Sequence, residues 1–466
     1  MYTTSKNINN RKIKTLGEKI AESPTIVLEK TIEETKKIAN SIGKVKTIKK
    51  AEEYWHLLGP GLTTGAADDD PSGIATYSQA GAKYGFQWLW LASFTFPLMA
   101  VAQEMCARIG LVTGQGLAAN IRKHYSKWVL YTCAGLLFAA NTFNIGANLG
   151  AMAQATELMA PKLAFNYLVV FFTILSLLLQ IFTTYQRYAK YLKYLAMILL
   201  SYIFSALMID LDWKQIFYST VFPSFTFSKE SLLLITAVLG TTISPYLFFW
   251  QTSQEVEEEI VNGNKSIKSR LGATDNEIKR MRIDVWSGMF LSNLVMFFII
   301  ATCAATLYAN GITNIATAAD AAAALKPLAG DASYLLFALG VIGTGLLSIP
   351  VLAGSASYAI SESFSWKEGL YRKIDKARSF YGVIIFSMVV GLLLNFVHID
   401  PIKALIYSAI ANGVIAPVVL IMIVLISSDK KIMGERANGK INKFFGWIIT
   451  GLMMIAGGAT IISLFF

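Results

Sequence analysis

Cysteine and histidine are both scarce, with three of each among 466 residues. Cys106, Cys133 and Cys303 lie far apart inside hydrophobic runs, which excludes a disulfide framework or a zinc finger and leaves packing as their reading. None of His56, His124 and His398 falls near the centre of an apolar run, so imidazole is not available as a central metal ligand or proton relay. Charge is thin as well, at 15% of residues. The net charge of +11 comes from basic residues clustered between apolar runs; that pattern fits membrane orientation, and no nucleic-acid motif accompanies it. The G-x-x-x-x-G-K-[ST] phosphate loop is missing, which excludes P-loop ATP hydrolysis in this chain.

What the chain does have is apolar length. Hydrophobic residues make up 54% of it and the mean hydropathy is +0.50, carried in runs of about 20 residues, enough to cross a bilayer. This is an integral membrane protein. Residues 1–55 are polar, rich in Lys and Glu and without a signal-peptide pattern, so they read as a cytoplasmic tail preceding a transmembrane domain at 56–466. The tail is expected to be solvated; a helix lying on anionic lipid is the alternative. Eleven spans are expected, beginning near residues 58, 86, 128, 166, 190, 231, 284, 333, 380, 402 and 444. Lys and Arg gather in alternate loops, including Arg122 to Lys127, Lys265 to Arg282 and Lys367 to Arg378. The positive-inside rule then puts the N-terminus in the cytoplasm and, with an odd count, the C-terminus outside.

Two spans are interrupted. The first carries GAADDDPSG at residues 65–73, where Pro71 lacks an amide donor and Gly73 lowers helix propensity, so a break with free carbonyls near Ala66 to Asp70 is expected. The sixth carries Gly240 and Pro245, which predicts a second break five helices later. Matched breaks in two five-helix halves point to an inverted-repeat transporter with its site at mid-membrane, although a proline kink can also serve packing alone. An Asp at that depth costs about 2.5 to 3.5 kcal/mol on insertion scales, so it is expected to face a cavity or a partner.

The motifs GPG (59–61), Asp70-Pro71, QEMCARIGLVTG (103–114) and GTTISPY (240–246) resemble the natural resistance-associated macrophage protein (Nramp) family of divalent-metal transporters, over roughly residues 57–430. The resemblance implies an all-α LeuT-type inverted repeat, helices 1–5 (about 57–210) and 6–10 (about 230–428), with an eleventh helix near 444–466. It also implies a divalent metal as substrate, with no cofactor. The family's DPGN motif stands here as Asp70-Pro71-Ser72-Gly73, keeping the acid and losing the Asn. Its MPH motif stands as Ser244-Pro245-Tyr246, losing both sulfur and imidazole. Asn144 matches the family's buried acid on the third helix, and Ala147 a position that often holds Glu. The ligand set that the resemblance nominates is Asp70, the carbonyls of Ala67 and Thr241, and groups at Gly73 and Ser244.

These losses have a chemical direction. Thioether sulfur suits softer transition metals, whereas carboxylate, carbonyl, hydroxyl and water suit Mg²⁺ or Ca²⁺ and accommodate Mn²⁺. Mg²⁺ in particular is held by one or two carboxylates with waters retained. The pattern is therefore similar to the Nramp-related magnesium-transporter branch, with transport driven by the electrochemical gradient and not obligatorily coupled to protons. The alternatives are a proton-coupled Mn²⁺/Fe²⁺ importer and a LeuT-type carrier of an organic solute. An enzyme is not expected, since no second carboxylate or activated nucleophile converges on Asp70. Successive helical residues point about 100° apart, so Asp68 and Asp69 are not expected to share one cation with Asp70. Glu104 and Arg108 have i,i+4 spacing for an internal ion pair. Asn412 and Gly413 are read as interrupting the tenth span, and EVEEE (255–259) as a solvated helix end. Beyond the ion and the lipid bilayer, no nucleic acid or obligatory protein partner is implied.

Overall fold

A computed structural model describes residues 59–183, 200–209, 211–224, 228–315, 317–326, 330, 333–397 and 399–465. The N-terminal tail and most of the expected fifth span lie outside these residues, as do His56 and His398. The described chain is helical throughout. The first span is split into α1 (Pro60–Asp68) and α2 (Pro71–Tyr84). The second is α3 (Trp90–Thr113), followed by the short amphipathic α4 (Leu117–His124). Then come α5 (Lys127–Met159), α6 (Phe165–Phe182) and α7 (Leu200–Leu207), the last being the described part of the fifth span. The sixth span is again split, into α8 (Lys229–Thr242) and α9 (Pro245–Val261). It is followed by α10 (Asp275–Thr306), α11 (Ser333–Ser363), α12 (Arg378–Leu394), α13 (Pro401–Ser428) and α14 (Lys440–Phe465).

Eight of the described spans are long and apolar enough to cross a membrane on their own account. Pro71–Trp88 and Trp90–Thr113 qualify only together, across a 107° bend. That bend is the turn between the first and second spans: α3 alone has 24 residues, about 36 Å of helix at the usual rise and more than a bilayer core requires.

The two breaks are built alike. In each, a half-helix ends, two residues leave the helical path, and a proline takes the first position of the next half-helix. The residue before each proline is extended, Asp70 with ψ 171° and Ser244 with ψ 128°, as the clash with the proline ring requires. Proline thus starts α2 and α9 at a position where its missing N–H costs nothing.

One expected interruption is absent: α13 runs unbroken through Asn412 and Gly413, while the expected break in the sixth span falls at Ile243 and Ser244 and leaves Gly240 inside α8. A Cβ on Gly240 would stand 2.1 Å from the Ala409 carbonyl and 2.3 Å from the Gly413 amide. Both glycines therefore allow α8 and α13 to touch backbone to backbone. Similar contact seats α1 on α10, where a Cβ on Gly65 would lie 2.2 Å from the Gly288 carbonyl and one on Gly288 lies 2.1 Å from that of Gly61.

The N-terminus of α1 is tied down by a side chain far away in sequence. Asp284 on α10 accepts the amides of Gly59 at 2.7 Å, Gly61 at 2.6 Å and Leu62 at 3.1 Å. The first-turn donors of a helix otherwise have no partner, and a carboxylate there also meets the positive end of the helix dipole. All three cysteines are buried and unpaired.

Candidate metal centre

The site starts at the break in the first span. Asp70 is fully buried and serves as N-cap of α2, its Oδ1 accepting the Gly73 amide at 2.9 Å and the Ser72 hydroxyl. Its Oδ2 takes two longer bonds from α5, one from Asn144 Nδ2 and one from Asn148 Nδ2, each 3.2 Å. Asn144 Oδ1 in turn accepts from Ser408 on α13 at 3.0 Å. The Asn148 amide also reaches Ser348 on α11, while its Oδ1 has no hydrogen-bond partner among the described residues. Ring or amide orientation in such a network is assigned from its partners, so a half-turn of the Asn148 amide exchanges donor for acceptor.

The other nominated groups gather around the same point. Ala67 O accepts the phenol of Tyr246 at 3.0 Å, which links the end of α1 to the start of α9. Ser244 Oγ lies 2.8 Å from Gly240 O and 2.6 Å from Thr241 O, filling the carbonyls left at the end of α8. Thr241 Oγ1 stands 3.4 Å from Ser72 Oγ, and a Cβ on Gly73 would be 3.4 Å from both Thr241 Oγ1 and Asp68 O. Asp70, Ala67, Gly73, Thr241 and Ser244 are thereby neighbours across the two breaks. Ala147 is buried on α5, one residue before Asn148.

Asn148 was not among the expected site residues, yet it touches Asp70 as Asn144 does. The signal was available: the two amides are four residues apart in FNIGANLG and so share a helix face. Ser348, Ser408 and Ser292 carried no such local signal.

The other two aspartates face elsewhere. Asp68 Oδ2 accepts the Ser292 hydroxyl of α10 at 2.7 Å, while its Oδ1 and both oxygens of Asp69 have no hydrogen-bond partner among the described residues. No Lys, Arg or His pairs with any of the three carboxylates among the described residues. Nor do three Asp, Glu, His or Cys side chains converge there as a metal cage. Tyr77 closes this side, its hydroxyl 3.1 Å from Thr242 Oγ1.

Of the readings of more distant acids, one is extended and one changes. Glu104 is 3.8 Å from Arg108, as its spacing allows, but its closer partners are on α10: Arg282 Nη2 at 3.0 Å and Trp286 Nε1 at 2.8 Å. Arg108 also donates to Asn438. In EVEEE, Glu255 and Glu257 are buried and not solvated. Glu257 accepts from the Tyr358 hydroxyl at 2.6 Å and from the amides of Leu370 and Tyr371 at 2.8 and 3.1 Å, which anchors the loop after α11.

Residues 61–463 match the family described as natural resistance-associated macrophage protein-like. Among solved structures, the chain is similar to a manganese transporter of Eremococcus coleocola in complex with an aromatic bis-isothiourea substituted compound, with TM-score 0.67, 16% identity and 87% of each chain covered. A variant of that transporter gives TM-score 0.65 at 15% identity, again over 87% of each chain. It is similar also to MHP1, a nucleobase-cation-symport-1 family transporter in a closed conformation with bromovinylhydantoin bound, at TM-score 0.51 and 14% identity, covering 88% of this chain and 91% of that one. At such identities these structures speak to the fold, and the expected all-α, LeuT-type membrane fold with interrupted first and sixth helices is the one observed.

Proposed function

The chain belongs to the Nramp family, and on that premise we propose that it carries divalent metal cations across the cell membrane, Mg²⁺ first and Mn²⁺ second, without obligatory coupling to protons. The metal is the substrate; no cofactor is required. The orientation that goes with this reading has the N-terminus in the cytoplasm and the C-terminus outside, by the distribution of Lys and Arg.

One observation carries the ion preference. Asp70 is bonded by the amides of Asn144 and Asn148 and by the Ser72 hydroxyl, and at the two breaks Ser244 and Tyr246, bonded to the carbonyls of Gly240 and Ala67, stand where the family motif has sulfur and imidazole. Such a set offers only hard oxygen donors. In this reading the ion approaches Oδ2, whose two 3.2 Å amide bonds are the weakest that Asp70 makes. Asn148 then turns its free oxygen toward the cation or toward one of its waters. The carbonyls of Ala67 and Thr241 exchange their Tyr246 and Ser244 partners for the same hydration shell, with Gly73 leaving room for it. Partial retention of water suits Mg²⁺, which dehydrates reluctantly.

The test is uptake by purified protein in liposomes under defined proton and voltage gradients, comparing Mg²⁺, Mn²⁺, Ca²⁺ and Cd²⁺. Saturable Mg²⁺ and Mn²⁺ flux with weak Cd²⁺ competition supports the proposal. Flux of Cd²⁺ in preference to Mg²⁺ returns the chain to the softer-metal importers.

A further inference from the structure

Two cavities meet at the end of the molecule that the distribution of Lys and Arg assigns to the cytoplasm, and neither shares a residue with the candidate metal centre. The first, of about 380 Å³, lies at the ends of α9 and α11 and is walled by the loops before α4, after α9 and after α11. That volume is within the range of small-molecule sites, roughly 300 to 1,000 Å³. Arg122, Lys265, Arg270, Lys367 and Arg372 line it, with the carboxyls of Glu257, Glu362 and Glu368. No ion pair joins the two sets among the described residues. Two of the carboxylates are taken by neutral donors: Glu257 by Tyr358 and the loop amides already described, Glu362 by the Ala119 amide at 3.0 Å and the Ser253 hydroxyl at 3.1 Å. Burial, reinforced by the nearby Glu362 and Glu257, pushes the Glu368 carboxyl up to about 9, so at neutral pH it enters the cavity protonated. The arginines are steadied by neutral oxygens. Arg122 donates to Glu362 O and the Ser365 hydroxyl, Arg270 to Gly114 O at 3.2 Å and Asn264 O at 2.8 Å, and Arg372 to Glu368 O at 2.9 Å. These bonds fix the guanidinium groups without cancelling their charge.

The second cavity is an apolar groove of about 400 Å³ on the outside of the helices, formed by Phe138 of α5, Ile360 of α11, and Gly382, Val383 and Phe386 of α12. Its wall is open to the surroundings, with Phe386 59% exposed and stacked against Phe138. Trp128 and Tyr131, exposed at the same end of α5, mark the level of the lipid headgroups, where amphipathic rings settle. Trp366 lines both the groove and the basic cavity. It stacks on Phe364, which stacks in turn on Tyr131. From the meeting of a basic cavity and an apolar groove across Trp366, we propose that this end of the molecule binds one anionic phospholipid, its phosphate among the arginines and lysines of the cavity and an acyl chain along the groove. Basic pockets between helices at the cytoplasmic face suit anionic headgroups, and the guanidinium fork matches phosphate oxygens. The cavity alone would take any small phosphate; the adjoining groove at headgroup level selects a lipid. Bound there, the headgroup bridges the end of α9, the second half of the broken sixth span, to the loops before α4 and after α11.

The experiment titrates the purified full-length protein in detergent with phosphatidylglycerol, phosphatidylcholine or glycerol phosphate, counting bound molecules by native mass spectrometry and following thermal unfolding in parallel. Wild-type protein is expected to hold one phosphatidylglycerol per chain and to bind phosphatidylcholine about tenfold or more weakly, the scale of an anionic headgroup among several cations. Lys265→Gln with Lys367→Gln breaks no ion pair among the described residues and is expected to weaken phosphatidylglycerol by about tenfold or more. Gly382→Phe fills the groove from a position where a Cβ meets nothing within 4 Å, and is expected to weaken the lipid to a similar degree. Both variants are expected to unfold at the wild-type temperature when no lipid is added, which separates loss of the site from misfolding. If Gly382→Phe unfolds lower, Phe386→Ser on the exposed wall puts the same question. Equal affinity for the two lipids overturns the proposal, as does phosphatidylglycerol binding that survives either the lysine pair or the groove substitution. Glycerol phosphate bound as tightly as phosphatidylglycerol, and unaffected by Gly382→Phe, overturns it in favour of a soluble phosphate ligand.

Discussion

Asp70 does two things at once, and substitutions can separate them. Its Oδ1 caps α2 and its Oδ2 faces the amides of α5. Asp70→Ala should abolish Mg²⁺ and Mn²⁺ flux and also cost about 0.5 to 2 kcal/mol for the lost cap. Asp70→Asn keeps an acceptor for the Gly73 amide, so it should be inactive yet more stable than the alanine variant; transport assays beside thermal unfolding check both. Near-normal flux in a folded Asp70→Ala protein would remove the site assignment. Ion preference is a matter of the neighbours. Gly73→Asn together with Ser244→Met should raise Cd²⁺ competition and weaken Mg²⁺ transport, because sulfur is added and water displaced. A Cβ at Gly73 meets Tyr77 Cε2 at 3.3 Å and Asp68 O at 3.4 Å, a tight fit that small shifts relieve. Competition curves that leave Mg²⁺ preference intact would show that selectivity is set elsewhere. Asn148 was legible from its spacing to Asn144. Ser292 was not, because only packing brings it to residues more than 200 positions earlier.

At the scale of elements, both breaks could be read from the sequence because proline acts locally: it bars the residue before it from helical geometry and begins the next helix. Glycine was ambiguous for the opposite reason. It can loosen a helix or admit a neighbour, and the neighbour of Gly240 is Gly413, on another span. Glu257 of EVEEE looked solvated since its partners, Tyr358 and the Leu370 amide, come from a distant helix and its loop. The seat of α1 gives the prediction that belongs here. Gly288→Val would drive a side chain into the Gly61 carbonyl, where even the first carbon stands at 2.1 Å. Overpacking of this kind typically costs about 1 to 3 kcal/mol. The variant should melt lower in detergent than Gly135→Val, a position with nothing within 4 Å; equal melting temperatures would mean that α1 does not rest on α10 as described.

For the whole molecule, the question is what drives the ion. Coupling to protons needs a group that changes protonation as the metal moves, and Asn144, Ala147 and Tyr246 occupy the places where the family resemblance would put one. None of these titrates readily near neutral pH. A divalent ion entering a negative-inside cell gains about 4.6 kcal/mol per 100 mV from the membrane potential, sufficient for accumulation without protons. The most direct measurement uses proteoliposomes loaded with a pH dye, given an inward Mg²⁺ gradient and held at fixed voltage with a potassium ionophore. The account predicts voltage-dependent Mg²⁺ uptake, abolished by Asp70→Ala, with no more change in internal pH than in empty liposomes. Acidification in fixed proportion to the Mg²⁺ entering, lost in the same variant, would contradict it.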